Sequence, residues 1–177
     1  MKTIKLLILL FLNFFSIELI AQTIAVVNIQ FLIDNNLIYN NTINELEINR
    51  NELLKKFEKK EIELKNIFDE IENSKLLLDT DAINIQIDNY NNKLNKFTIL
   101  VDEFNIHYQN EIYNIRQIVL KEIVILLEKY AIENNVDLIL DSTSYLIASN
   151  SIDITNIIND GLKNINIILE YKNFEKH

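Results

Sequence analysis

Apolar residues in the middle of the chain recur at alternating steps of four and three. Leu46, Arg50, Leu53, Phe57, Lys60, Leu64, Ile67, Ile71, Ser74 and Leu78 trace one such line, and most of its positions are apolar. A second line keeps the alternation with only Glu111 polar: Ile83, Ile87, Tyr90, Leu94, Phe97, Val101, Phe104, Tyr108, Glu111, Ile115 and Ile118. A seam of that period marks helices packed along one another. Charged residues between the seam positions, such as Glu52, Lys55, Glu58, Lys59 and Glu63, suit a solvated face. Glu52 and Lys56 are spaced for an ion pair within the helix. Asp79-Thr80-Asp81 separates the two lines, and Asp or Thr there caps a new helix. The pattern predicts an antiparallel helical hairpin over residues 34–134, with its tip near 79–82 and arms roughly 65 Å long.

The pattern changes at both ends of the hairpin. Residues 24–29, Ile-Ala-Val-Val-Asn-Ile, form a short apolar run rich in β-branched side chains and predict a buried strand. After the stop at Asn134-Asn135, Val136, Leu138 and Leu140 fall on one face of a second strand. Residues 141–144 are polar and predict a turn, and residues 145–148, which include Ile147, a third strand. Asp153 or Thr155 is placed to cap a final helix through about Lys163, with Ile154, Ile157, Ile158 and Leu162 as its apolar face. Ile165, Ile168, Leu169 and Tyr171 are placed to extend that helix. The hairpin returns the chain to its start, so the first strand can join the later two. The fold class is therefore α+β, mostly α: a helical hairpin on a small β body made of residues 22–33 and 135–177. Three short strands and one helix bury little apolar area, which predicts that the body is stabilised by oligomerisation.

Composition narrows the function. The chain has no Cys, no Pro, no Trp and one Gly. A disulfide framework, thiol chemistry and Cys-zinc sites are excluded. Glycine-rich phosphate loops are excluded as well. The net charge of −9 argues against nucleic acid, because phosphate binding needs a basic surface.

The first 21 residues have the pattern of a secretory signal. Lys2 and Lys5 precede a short apolar run over residues 6–15, and Ala21 offers a cleavage point. The run is shorter than the roughly 20 residues that span a bilayer, and Glu18 follows it closely. Cleavage after Ala21 and export to the periplasm is the expectation; an uncleaved anchor is the alternative.

In that order, these elements resemble the Skp/OmpH family of periplasmic chaperones. The opening run, Ile24-Ala25-Val26-Val27-Asn28-Ile29-Gln30, is similar to the family's first strand. Asn134-Asn135-Val136-Asp137-Leu138-Ile139-Leu140-Asp141, followed by Ser151-Ile152-Asp153-Ile154-Thr155 and Leu162-Lys163, is similar to its closing signature. The resemblance implies a homotrimer. Strands from three subunits would form the body, and three hairpins would enclose a cavity that holds unfolded outer-membrane or envelope proteins without ATP. The chain departs from the family in charge: acidic residues outnumber basic ones across the arms, where the best-known members are basic. No lipopolysaccharide site is therefore carried over.

An ATP-free holdase needs apolar spots around a cavity and no catalytic group. No catalytic residue, metal ligand set or cofactor is expected: His107 has no second His or Cys near it, and Asp79 and Asp81 lack the glycine and distal Glu of a calcium loop. Phe57, Tyr90, Phe97, Phe104 and Tyr108 lie on the seam and are expected to be packing residues. Phe68 and Tyr113 lie off it and are the candidate client contacts. Val27, Ile29, Val136, Leu138, Leu140 and Ile147 are the candidates for the oligomerisation body. A secreted coiled-coil spacer or adaptor without chaperone activity is the alternative reading.

Overall fold

The computed structural model describes residues 22–75 and 77–175. The signal segment, residues 1–21, lies outside them. Strand β1 (Ile24–Val27) leads into a short helix α1 (Ile29–Asp34) and then two long helices, α2 (Leu37–Ser74) and α3 (Thr80–Asn134). Strand β2 (Leu138–Asp141), two 3-10 turns at Ser142–Ser144 and Asn150–Ile152, and helix α4 (Thr155–Lys163) complete the order.

Asparagine and aspartate side chains set most of these boundaries. Asn28 ends β1 because its side chain accepts the Phe31 N–H at 2.9 Å and caps α1. Ile29 is thus the first residue of a helix rather than the last of a strand. The hairpin helix predicted from residue 34 starts later, because the chain breaks at Asn35 and Asn36, where Asn36 caps α2 through the Tyr39 N–H at 2.8 Å. Asp79 caps α3 through the Ala82 N–H at 2.8 Å. At the far end of α3, Asn135 takes the left-handed conformation at φ 51° and ψ 46°, and the Val136 N–H reaches back to the Ala131 carbonyl. Such a cap satisfies end carbonyls without a proline or glycine. At 1.5 Å per residue, α2 is about 57 Å long and α3 about 82 Å.

β1 and β2 pair in parallel, with Ile24 opposite Leu138 and Val27 opposite Asp141. A single bridge from Val26 to Asp153 lies on the other side of β1. The predicted third strand at residues 145–148 does not form: Leu146 and Ile147 are almost fully exposed, and the chain there has no regular structure. The Asp141 side chain explains the break. It accepts the Thr143 N–H and hydroxyl at 3.2 and 2.6 Å, which curls the chain into a 3-10 turn where a hairpin was expected.

Two apolar clusters hold the molecule. In the body, Ala25, Val27, Leu32, Ile33, Ile154, Ile158 and Leu162 surround Val119, Ile123 and Leu127 of α3. Gly161 lets α4 lie close on α3, since a Cβ there would stand 3.3 Å from Leu126 Cδ1. At the arm root, Leu46, Phe104, Tyr108 and Ile115 form a second cluster. Phe104 meets Phe57 and Tyr108 with ring centroids 4.8 Å apart in each case. Leu46, Leu64, Ile71, Ile83, Phe104, Tyr108 and Ile115, all on the two sequence lines, are buried. Past Ile115 the line changes: Val119, Ile123 and Leu127 are buried while Ile118 is exposed. Steps of four replace the four-three alternation, as fits a helix leaving a seam of period 3.5 for a one-sided body contact.

The ion pairs among the described residues join neighbours on one helix. They are Arg50–Glu47, Lys60–Glu63, Lys75–Glu72, Lys129–Glu133 and Lys163–Asp160. Glu52–Lys56 is not one of them. Exposed pairs of this type contribute at most about 1 kcal/mol each, so packing carries the hairpin. Phe104→Ala should therefore lower unfolding free energy by about 3–5 kcal/mol, whereas Glu63→Gln, which removes one exposed ion pair, should leave it essentially unchanged. Urea titration of both variants measures the contrast, and equal effects would show that the arm is not held by its seam.

Candidate functional site

The arms have two kinds of apolar face. One is the buried seam. The other lies on the opposite side of α3, where Ile85, Ile99, Ile106 and Tyr113 are 63%, 57%, 58% and 61% exposed. These residues share one position of the seven-residue repeat, with Asn92 filling the gap between Ile85 and Ile99. In a hairpin with a heptad seam this outermost position is normally polar, because it points furthest from the partner helix. On α2 the equivalent position holds Ile48 and Ile62, 54% and 59% exposed, separated by Lys55. Apolar residues thus run down the outside of a hairpin whose surface is otherwise mostly charged or amide-bearing, apart from Phe68 and the tip residues Leu77 and Leu78. The stripe from Ile85 to Tyr113 is about 42 Å long.

The two candidate client contacts lie apart. Tyr113 closes the root end of the α3 stripe. Phe68 sits on α2 against Tyr90, ring centroids 5.6 Å apart, beside an open cleft bordered by Leu64, Leu94, Phe97 and Val101. Tyr90 and Tyr113 stand about 35 Å apart along α3. Off-seam aromatic side chains alone do not reveal Ile85, Ile99 and Ile106; their seven-residue spacing with Tyr113 is the signal the sequence holds.

The body candidates divide between the two faces of the sheet. Val27 is buried in the body core, and Ile29, Val136 and Ile139 pack against it. Val136 is thereby separated from Leu138 and Leu140, since it follows the left-handed Asn135 and precedes the strand. Across the sheet, Ile24 and Leu138 are paired and 39% and 47% exposed, with Leu140 partly buried beside Val26. Together with Leu146 and Ile147, these side chains leave an apolar surface on the body. Among the described residues, the outer edge of β2 has no neighbouring strand.

The polar groups of the body act as fasteners. Asp137 joins the residue preceding β1, accepting the Thr23 N–H at 2.8 Å, and the Thr155 hydroxyl oxygen accepts the Asn28 N–H at 2.9 Å. Burial opposes ionisation of Asp141, but hydrogen bonds from the Thr143 hydroxyl and from the Ile29, Thr143 and Ser142 N–H groups outweigh it. They hold the carboxyl below its ordinary value. Burial raises the Tyr108 phenol, which donates to Asn49. No group of three or more His, Asp or Glu side chains among the described residues is arranged to hold a metal ion. No described helix is long and apolar enough to cross a membrane.

The family model of OmpH, "Outer membrane protein (OmpH-like)", matches residues 23–162. The chain belongs to the OmpH-like family. Its match therefore runs from β1 to α4 and stops short of the C-terminal segment. A solved structure of similar fold is that of a candidate outer membrane chaperone (OmpH-like) from Caulobacter crescentus CB15. The likeness covers 88% of this chain and 92% of that one, at a TM-score of 0.64 and 14% identity. At that identity the OmpH-like fold is shared while most side chains differ. Comparison with curated proteins gave no match.

Asp141 gives this OmpH-like body a pH dependence. A depressed carboxyl contributes stability that is present above its unfolded pKa and lost as pH falls through the folded value. Asp141→Ala should cost about 1.5–3 kcal/mol at pH 7. That gap to the parent chain should close as the pH falls below about 4. Urea unfolding of both proteins from pH 7 to pH 3 checks this; a gap that stays constant would mean that the ionised carboxyl is not the fastener.

Proposed function

We propose that the protein is an ATP-independent holdase of the periplasm that binds unfolded outer-membrane or envelope proteins. The observation that carries the reading is the exposed stripe of Ile85, Ile99, Ile106 and Tyr113 on a mostly polar arm. A folded monomer gains nothing from such a line, and it costs solubility. A holdase uses it: weak apolar contacts spread over some 40 Å grip an extended chain at several points and leave it mobile. Membership of the OmpH-like family, the shared fold of the Caulobacter protein and the signal-like start of the sequence all support this reading.

The assembly that fits is a homotrimer joined through the bodies. Its surface would be the outer sheet face of Ile24, Leu138 and Leu140, the edge of β2, and the exposed Leu146 and Ile147. A two-stranded sheet is marginal alone, and covering these side chains would complete it. Residues 145–148, which find no strand partner among the described residues, would gain one between subunits. The acidic arms favour apolar over charge-driven capture, so client binding should depend little on salt.

Dilution of a urea-unfolded β-barrel protein into buffer holding the chain from Gln22 onward should leave it soluble, as read by turbidity. Ile99→Asp, Ile106→Asp and Tyr113→Asp combined should lose most of that protection while circular dichroism stays helical. Unchanged turbidity with the parent chain would leave a structural spacer as the better reading. Light scattering should give three times the chain mass, and Leu138→Asp with Leu140→Asp should reduce it to one. A trimer that survives both substitutions would place the interface elsewhere.

A further inference from the structure

Past α4 the chain does not continue as the helix that its apolar residues suggested. It stops at Lys163, and residues 164–175 run back along the arm without regular secondary structure. α3 spans about 33 Å between Leu126, which faces Gly161, and Phe104, which faces Phe174. Roughly a dozen residues cover that distance, so the segment must run largely extended. Its burial alternates. Ile165, Ile167, Leu169 and Tyr171 face inward, while Asn166, Ile168, Glu170 and Lys172 are exposed. Ile167 is buried in the body core, and Leu169, Tyr171 and Phe174 pack on the arm-root cluster. Phe174 stands edge-on to Phe104 at 5.5 Å.

The backbone is held as well. Glu111 accepts the Lys172 N–H at 3.1 Å, and His107 Nε2 lies 2.8 Å from the Lys172 carbonyl oxygen. His107 and Glu111 are one helical turn apart on α3 and grip both main-chain groups of a single residue. A grip on the backbone reads no side chain. Apolar seats then take Ile165, Ile167, Leu169 and Tyr171 at alternate positions before Lys172, and Phe174, three residues past Tyr171, after it. This is the pattern of a membrane β-barrel strand, apolar at alternate positions and bounded by aromatic residues.

We infer that the face of α3 carrying Glu103, His107 and Glu111, with the arm-root cluster beside it, is a binding site for extended polypeptide with apolar residues at alternate positions. Residues 164–175 are its resident occupant and are displaced by an unfolded client strand. Ile106, at the rim of the hollow between Phe174 and α3, joins this site to the exposed stripe. The inference rests on the holdase reading for its client and on the seated segment for its geometry.

A fluorescent peptide with the sequence of residues 164–175 is the probe, with a scrambled peptide that breaks the alternation as control. Fluorescence anisotropy is measured against the full chain from Gln22 and against a version ending at Leu169, which keeps Ile167. The shortened protein should bind the peptide at least tenfold more tightly than the full chain, whose tethered segment competes at an effective concentration near millimolar. The scrambled peptide should bind at least tenfold more weakly. His107→Ala with Glu111→Gln in the shortened protein should lower affinity several-fold. If the shortened chain does not fold, Tyr171→Asp with Phe174→Asp in the full chain loosens the segment and should give the same gain. Equal binding by full and opened proteins, or equal binding of both peptides, overturns the inference. Client protection without peptide preference would sink this site and leave the holdase standing. Peptide binding without client protection would do the reverse.

Discussion

The parallel ladder between β1 and β2 is the constraint that organises the molecule. Ile24 pairs with Leu138, so more than a hundred residues must leave the sheet and return pointing the same way. Parallel neighbours always need a crossover; here the crossover is the whole arm. An antiparallel hairpin of helices solves the geometry, because α3, longer than α2, comes back past the level where α2 starts and delivers β2 beside β1. The same return makes α3 a shared wall. Its upper part meets α2 along the seam, and Val119, Ile123 and Leu127 form the floor of the body. Arm and body thus share one continuous helix.

The hairpin was legible because its signal is long and redundant. Two lines of about ten positions each contain the residues buried along the seam, most of their other members being partly buried, and Asp79 announced the cap between them. The body was less legible because single side chains decide it. Asn28 and Asn36 turn what reads as strand-then-helix into strand, short helix, break and long helix. Asp141 diverts a plausible hairpin into a 3-10 turn, leaving Leu146 and Ile147 outside. Periodicity is blind to such capping bonds. It also misled at the C-terminal segment, where Ile165, Ile168, Leu169 and Tyr171 fit a helical face yet the chain alternates with period two. The gain from seating Ile167, Leu169, Tyr171 and Phe174 on existing clusters exceeds what one further helical turn of Asn-rich sequence offers.

The exposed line on α3 was visible in the sequence but hidden by the stronger seam. Ile85, Ile99, Ile106 and Tyr113 obey the same seven-residue repeat as the buried residues and face the other way. One helix therefore carries two apolar stripes with different tasks: one closes the hairpin, the other stays open. The excess of acidic residues keeps such an arm soluble, and in the proposed holdase it leaves apolar contact as the means of capture. The extended C-terminal segment adds a picture of what an occupant of this arm looks like, held by its backbone and by alternate side chains.

The central claim is that the open stripe holds unfolded chains, and photo-crosslinking tests it most directly. A photoreactive residue is placed singly at positions 99, 106 and 113, and at polar positions 95 and 110 of the same helix. Each protein is illuminated with a urea-diluted β-barrel protein. The account predicts strong cross-links from the three stripe positions, weak ones from the two polar positions, and none with the folded barrel. Equal cross-linking from all five positions, or none from the stripe, would contradict it.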